Sequence, residues 1–340
     1  MIYRSKAPLR IGLAGGGTDV SPYSDLYGGA ILNATVSLYA YANIELTDNN
    51  EVHFEAIDFQ SKQVIQKDSP IELNGVLDLH KGVYDRIRKQ FQEIPSGFKL
   101  STFVDAPPGS GLGTSSTLVV AMVGVFAEML KLPLGEYDIA HLAYEIERKD
   151  LKMAGGKQDQ YAATFGGVNY MEFFDNEKVI VNPLRVKQQY LFELENNLVL
   201  YYTATSRESA RIIEKQSQNV INKMGSSIEA MHQLKQQSLR MKEALLRGRL
   251  NEIGEILDFG FEQKRRMAEG ISNDRMEDIY VAAKSAGATG GKISGAGGGG
   301  FMIFYCPGNS KYKVIEKLNS FGGHCKSYQF VDHGLTTWTI

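Results

Sequence analysis

The stretch that decides the fold spans residues 107–117 and has the sequence PPGSGLGTSST. It follows a predicted strand at 98–106 (FKLSTFVDA) and precedes LVVAMVGVFAEMLK at 118–131, which is apolar nearly all round and predicts a buried helix. Glycine permits positive φ and lets N–H groups approach a ligand without an intervening Cβ. A strand, a glycine loop and a helix start in this order predict a phosphate cradle.

This loop is not the common nucleotide P-loop, because no Gly-Lys-Ser/Thr occurs in it. Instead, Thr114, Ser115 and Ser116 supply hydroxyl groups that could bind phosphate oxygens or Mg²⁺. The alternative interpretation of the loop alone is a glycine-rich turn that is capped by serine.

A second glycine cluster lies near the start of the chain, in APLRIGLAGGGTD at residues 7–19. Arg10 precedes a short apolar strand, and Asp19 follows the turn at Gly15–Gly17. An arginine here could stabilise charge on a transferring phosphoryl group, and an aspartate could accept hydrogen bonds from substrate hydroxyls. Each residue taken alone could equally be a surface charge or a turn residue.

A third cluster, GGKISGAGGGGF, occupies residues 290–301. The run at Gly297–Gly300 is costly in backbone entropy, so something must require a close approach of the backbone. We expect either a substrate or phosphate there, or tight packing against the first loop. Packing alone is the simpler alternative.

Composition bounds the remaining possibilities. The chain has 340 residues with a net charge of −2, which argues against binding nucleic acid or a membrane surface through bulk electrostatics. Its two cysteines, Cys306 and Cys325, are too few for a disulfide framework. The N-terminal residues lack an apolar core of signal-peptide length. We therefore expect a cytoplasmic protein, either a monomer or a homodimer.

The pattern of apolar runs predicts a change from mixed strands to long helices near residue 200. We therefore expect one domain over 1–200 and another over 201–340. Predicted strands lie at 10–15, 30–46, 52–57, 98–106 and within 167–203, with a last one at 325–331. Predicted helices lie at 73–93, 118–131, 136–151, 206–248, 251–268, 274–286 and 310–320.

In their order along the chain, the stretches at 7–19, 107–117 and 290–301 resemble the first, second and third motifs of the GHMP kinases, which include galactokinase, homoserine kinase, mevalonate kinase and phosphomevalonate kinase. In the second motif, Thr114 stands where the family has its first serine. The resemblance implies an ATP-dependent kinase of small alcohols with an α+β fold of two domains. It implies an N-terminal α/β domain with a left-handed β-α-β crossover, a C-terminal ferredoxin-like domain, and an active site in the cleft between them.

The resemblance also implies roles for individual residues. Asp159, in GGKQDQYAATFGG at 155–167, takes the place of the catalytic aspartate, with Arg10 as its basic partner. Ser115 and Glu147 take the places of the Mg²⁺ ligands, with Glu145 as a competitor. The residues expected to hold ATP are Pro108, Gly109, Ser110, Gly111, Leu112, Gly113, Thr114, Ser115 and Ser116. Those expected at the substrate are Gly16, Gly17, Thr18, Asp19, Arg207, Gly297 and Gly298.

The Gly-Gly-Gly-Thr-Asp form of the first motif is similar to the subgroup that contains the D-glycero-D-manno-heptose 7-phosphate kinases and related fucokinases. This implies phosphorylation of the anomeric hydroxyl to give the 1,7-bisphosphate for nucleotide-activated heptose synthesis. A phosphorylated acceptor needs a second anion site. The candidates are Arg207 and Arg211, or Lys264, Arg265 and Arg266. The alternatives are a kinase of a free sugar such as L-fucose, and a non-catalytic sugar or nucleotide sensor.

Overall fold

Two β-sheets organise the chain in this computed structural model, which describes residues 1–91, 94, 96–205 and 209–340. The strands are β1 Ile2–Ala14, β2 Gly29–Thr47, β3 Glu51–Ala56, β4 Ser61–Gln66, β5 Gly97–Val104, β6 Val168–Phe173, β7 Val179–Pro183, β8 Leu198–Tyr202, β9 Gly290–Ile293, β10 Phe301–Tyr305, β11 His324–Cys325 and β12 Thr336–Thr339. The helices are α1 Tyr23–Tyr27, α2 Asp78–Gln90, α3 Thr114–Leu130, α4 Glu136–Glu145, α5 Gln158–Phe165, α6 Gln188–Asn197, α7 Ser209–Ile221, α8 Gly225–Arg247, α9 Ile253–Met267, α10 Asp274–Ser285 and α11 Ser310–Asn319.

The first sheet has the order β12-β1-β2-β5-β3-β4, and β6 and β7 branch from β2. The branch arises because the first part of β2, Gly29–Ala34, pairs with β6, whereas its later part, Ala40–Thr47, pairs with β5. β3 and β5 are parallel, and the chain passes from one to the other through β4 and α2. This connection supplies a β-α-β unit within a largely antiparallel sheet.

Helix α3 forms the centre of the N-terminal core. Its residues from Ser116 to Phe126 are all buried. The helix packs on β1 and β2 with one face and contacts α4 and α5 with another. Because it is enclosed on both sides, it is apolar nearly all round, as the sequence predicts. The burial fixes the start of α3, and therefore the glycine loop that precedes it.

The second sheet is antiparallel and has the order β11-β8-β10-β9. With helices between β8 and β9 and between β10 and β11, this is the strand order of a ferredoxin-like fold. The expected two-domain α+β architecture is therefore confirmed. The second sheet begins at Leu198, and β12 returns to pair with β1 in the first sheet. A division of the chain at residue 200 stays a prediction.

Several elements differ from the sequence prediction. The region 167–203, predicted to be strand-rich, contains helix α6, which buries Leu194. The predicted helix at 206–248 is two helices, α7 and α8, with Lys223 at positive φ between them. Only Cys325 of the predicted last strand at 325–331 lies in β11, because the chain then leaves the second sheet and Phe330 bridges to Val36 in the first. Among the described residues, none of the helices is both long and apolar enough to cross a membrane.

Candidate active site

A cleft of about 670 Å³ lies between the two domains. The first domain contributes residues of the first and second glycine stretches and of the segment from Glu147 to Asp159. The second domain contributes Ser209, Ala210, Lys264, Gly295 and Ala296, among others. The cleft therefore collects side chains that are far apart in the sequence.

The glycine loop enters the cleft with three residues at positive φ, namely Gly109 at 70°, Gly111 at 81° and Gly113 at 78°. Only glycine adopts this conformation without strain. A Cβ added to Gly111 would lie 2.5 Å from the carbonyl oxygen of Ser294, so the glycine stretch at 290–301 packs directly on the loop at 107–117. α3 then begins at Thr114 with no side-chain cap among the described residues. Its first N–H groups thus meet the requirement for binding an anion.

Arg10 joins this loop to Asp159, which lies in the first turn of α5. Its Nε donates to Asp159 Oδ1 at 2.7 Å, and its Nη2 lies 2.7 Å from the same oxygen. Its Nη1 donates to the carbonyl oxygen of Gly111 at 2.5 Å. The Arg10 side chain is 4% exposed and that of Asp159 is 22% exposed. The carboxylate therefore faces the cleft while the arginine holds it from behind.

Glu147 is fully buried at the edge of the cleft. Its Oε2 accepts a hydrogen bond from Gln160 Nε2 at 2.5 Å, and the same amide donates to Ser116 Oγ at 3.2 Å. Its Oε1 has no hydrogen-bond partner among the described residues, although Arg148 Nη1 lies 3.8 Å away. Ser115 lines the same cleft. A buried, unpartnered carboxylate oxygen in a cleft that a serine also lines fits a Mg²⁺ ion, which prefers oxygen ligands.

Glu145, the competing candidate, points elsewhere. It forms ion pairs with Arg86 and Lys149 outside the cleft. The two glutamates separate because α4 ends at Glu145 and a π-helical turn covers Ile146–Asp150. Such turns are frequent at functional sites because they redirect side chains.

The side chain of Asp19, which follows the turn at Gly15–Gly17, contacts the start of α5. Its Oδ2 accepts hydrogen bonds from the backbone N–H groups of Lys157 at 2.9 Å and Gln158 at 3.0 Å. Burial raises the pKa of this carboxyl group, and the nearby Asp159 carboxylate raises it further. Asp19 lines the cleft and holds the helix that carries Asp159.

The other expected substrate residues divide into two groups. Gly17 lines the cleft, but Gly16, Thr18, Gly297 and Gly298 are not among its lining residues. The Thr18 hydroxyl instead bonds to the backbone of Gly15 and Ala30 inside the turn. Gly298 donates its N–H to the carbonyl oxygen of Ile271. These contacts favour a packing role for this group.

Most of the expected ATP residues line the cleft, but Ser110 and Leu112 do not. The Ser110 carbonyl accepts from Phe301 N–H at 2.8 Å, and Leu112 is buried in the core. Both residues hold the loop in shape from beneath.

The candidates for a second anion site are dispersed. Arg207 lies outside the described residues. Arg265 pairs with Glu277 and covers the ring of Phe261, and Arg266 donates to Gln263. Of the described candidates, Lys264 alone lines the cleft.

Three features in or next to the cleft were not among the residues predicted from the sequence. Gln160 holds Glu147, Lys292 is buried behind the cleft, and Arg148 lines both the cleft and an adjoining cavity of about 390 Å³. Lys292 had one visible signal, because a lysine between glycine and isoleucine in a β-forming run is unusual. Nothing in the sequence marks Gln160 apart from its position next to Asp159.

Comparison with known proteins agrees with the fold and the cleft. The chain matches the GHMP kinases N terminal domain over residues 78–167 and the GHMP kinases C terminal domain over residues 241–324. The chain belongs to the GHMP kinase family and is a phosphotransferase.

Among similar proteins, the D-glycero-alpha-D-manno-heptose 7-phosphate kinase of Campylobacter jejuni is 46% identical over 339 residues, which cover 99% of both chains. A crystal structure of a D-glycero-D-manno-heptose 1-phosphate kinase from Bacteroides thetaiotaomicron superposes with a TM-score of 0.85 at 46% identity, with 99% of each chain covered. The Methanococcus jannaschii mevalonate kinase shares the fold, with a TM-score of 0.76 at 19% identity, over 97% of this chain and 98% of that one.

Proposed function

We propose that this protein is an ATP-dependent kinase that phosphorylates the anomeric hydroxyl of D-glycero-D-manno-heptose 7-phosphate. The observation that carries the proposal is the pairing of Arg10 with Asp159 at 2.7 Å beside an uncapped helix start. The full-length similarity to the Campylobacter kinase supports the choice of acceptor. The two free thiols, Cys306 and Cys325, agree with a cytoplasmic enzyme.

The glycine loop and the first turn of α3 bind the phosphates of ATP in this proposal. Backbone N–H groups from Gly109 to Ser116 surround the anion, and the helix dipole adds to their attraction. Ser115 and Glu147 would hold Mg²⁺, which supplies charge neutralisation on the phosphates when bound. Gln160 keeps one oxygen of Glu147 occupied, so that the other is free for the ion.

Asp159 orients the acceptor hydroxyl and takes its proton. The acceptor oxygen forms a bond to the γ-phosphorus as the bond from that phosphorus to the bridging oxygen breaks, and ADP leaves. Arg10 keeps the Asp159 carboxylate in place and brings positive charge close to the transferred group. Catalysis of this kind rests on positioning and electrostatics more than on covalent chemistry.

The test of the proposal is a panel of acceptors with ATP consumption as the readout. It contains heptose 7-phosphate, heptose 1-phosphate and L-fucose, and phosphorus NMR identifies the product. We expect the enzyme to use heptose 7-phosphate best and to add a phosphate to its anomeric hydroxyl. A preference of the enzyme for heptose 1-phosphate or L-fucose would overturn the choice of acceptor. Binding of sugar or nucleotide without turnover would favour the sensor.

The phosphate already present on the acceptor needs a cation of its own. We infer that Arg207 supplies it, since the described residues that follow it, Ser209 and Ala210, line the cleft. Arg207→Ala should raise the KM for the sugar phosphate and leave ATP binding unchanged. Arg211→Ala is the matched control, because Arg211 is exposed and is not among the lining residues. Equal effects on both ligands would contradict the assignment.

A further inference from the structure

Lys264 is a buried cation that none of the roles above employs. It lies on α9, is 4% exposed and lines the cleft from the side of the second domain. Its ammonium group donates to the carbonyl oxygen of Gly295. Among the described residues, no carboxylate forms an ion pair with it and no other acceptor binds it, so two of its three N–H donors are unused. Burying a charge without a partner is costly, which points to a ligand.

The surroundings of Lys264 are rich in positive charge. A Cβ added to Gly16 would lie 3.7 Å from the Nζ atoms of both Lys264 and Lys292. The Lys292 ammonium donates to the carbonyl oxygen of Gly12 at 2.8 Å and is not among the lining residues of the cleft. Burial and the nearby Arg10 lower the pKa of Lys264 to about 8, while Asp19 opposes this shift. The group is therefore still mostly charged at neutral pH.

The neighbouring carboxylates decide which ligand fits. Asp19 lies close enough to Lys264 to interact with its charge, Asp159 lies close to Asp19, and both carboxylates line the cleft, so both would repel the phosphate of a sugar phosphate. A hydroxyl group can bind a carboxylate and an ammonium at the same time, because it donates one hydrogen bond and accepts another. Asp19 Oδ2 is already occupied by two backbone N–H groups, which leaves Oδ1 for such a donor.

We propose that Asp19 and Lys264 together bind one sugar hydroxyl that neighbours the hydroxyl receiving the phosphoryl group. Asp19, from the first domain, accepts a hydrogen bond from this hydroxyl, and Lys264, from the second domain, donates one to it. The second domain therefore selects the acceptor sugar as well as closing the cleft. This inference rests on the proposed sugar kinase activity but not on the position of the existing phosphate.

A cycle of enzyme and substrate changes tests the proposal. The wild type and Lys264→Met are assayed with the full acceptor and with a series of monodeoxy acceptors, each lacking one hydroxyl. Loss of one charged hydrogen bond should raise the acceptor KM by about tenfold to a hundredfold. A rise at least as large is expected for the wild type with one particular deoxy acceptor. Lys264→Met should distinguish that acceptor from the full one less strongly than the wild type does, because only Asp19 then binds the hydroxyl. Binding of ATP, followed by calorimetry, should be unchanged.

Controls keep the outcome clear. Lys242→Met removes a lysine that stacks over Tyr170 and should match the wild type throughout. If Lys264→Met does not fold, Lys264→Gln is used instead. Its side-chain amide is still a hydrogen-bond donor, so its acceptor KM should rise above that of the wild type by less than the roughly tenfold to hundredfold expected for complete loss of the bond. A fall in ATP affinity or in kcat at unchanged acceptor KM would overturn the proposal and assign Lys264 to the phosphoryl group. The proposal would also be overturned if each deoxy acceptor raised the KM by the same factor in Lys264→Met as in the wild type. If the wild type uses no sugar acceptor, the proposed function itself fails.

Discussion

Arg10 Nε donates to Asp159 Oδ1 at 2.7 Å across 149 residues of sequence. The same guanidinium donates to the carbonyl oxygen of Gly111 in the glycine loop. One side chain thereby fixes the distance between the proposed base and the proposed nucleotide loop.

Replacing Asp159 with asparagine tests the proposed base. The space beside Asp159 is tight, because a Cβ added to Gly113 would lie 3.0 Å from Asp159 Cγ. Asp159→Asn keeps the shape of the side chain in this space but removes the proton acceptor. We expect kcat to fall by about 10²–10⁴. Steady-state kinetics measures the fall, and ATP binding should persist. Asp332→Asn, at an exposed aspartate beside His333, is the control. Near-normal turnover of Asp159→Asn would contradict the assignment.

Gln160 is predicted to position the metal ligand without touching the substrate. Gln160→Leu removes the hydrogen bonds to Glu147 and Ser116 at similar volume, so the Glu147 carboxylate loses its fixed orientation. We expect affinity for Mn²⁺, measured by electron paramagnetic resonance with nucleotide bound, to fall by about tenfold to a hundredfold. Gln233→Leu, which disturbs only an exposed contact with Glu229, should bind Mn²⁺ normally. Equal affinities in all three proteins would rule out this role.

Gly111 should tolerate no side chain. Gly111→Ala forces a Cβ to within 2.5 Å of the Ser294 carbonyl at a φ of 81°. We expect the free energy of unfolding to fall by more than the roughly 1–2 kcal/mol that positive φ alone costs. Nucleotide affinity should fall as well, because the loop must move. Gly308→Ala is the matched control, with a φ of 59° and open space around the Cβ. Similar losses in both variants, measured by urea unfolding, would show that packing of the two loops is unimportant.

Lys264 should make the ligand-free protein more stable as the pH rises above 8. Its pKa is about 8 when folded and about 10.5 when unfolded, so the unfolded chain binds more protons between these values. Stability then rises with pH in this window, by about 1.6 kcal/mol between pH 8 and 9.5. The free energy of unfolding from urea curves should show this rise in the wild type relative to Lys264→Met. Parallel pH profiles of the two proteins would contradict a buried, charged Lys264.

The sequence predicted the parts of the site that depend on local backbone chemistry. The loop at 107–117 was recognisable because glycine, hydroxyl residues and an apolar helix follow one another directly. Helix α3 begins at Thr114, four residues before the predicted start at 118, so the hydroxyl residues of the loop form its first turn. Glu147 lines the cleft and Glu145 does not, and the role of Glu147 as a metal ligand stays a prediction. The family resemblance then supplied the two-domain architecture.

The features that escaped prediction depend on contacts between distant segments. Gln160 matters because Glu147 and Ser116 meet it, and Lys292 matters because its ammonium reaches Gly12. The helix α6 was missed because its apolar residues lie close to the strand-forming run that follows. β12 has only four residues, and its partner β1 lies at the other end of the sequence, so no local pattern could reveal the pairing.

That pairing of β12 with β1 makes the second sheet an insertion within the first. The chain crosses between the sheets once before β8 and once more after β11. Any opening of the cleft must therefore change the backbone conformation of both connections, the one before β8 and the one after β11. Residues of both sheets, such as Leu9 and Ile303, also belong to one hydrophobic cluster, so a movement of one sheet against the other must disturb this shared core as well as the two connections.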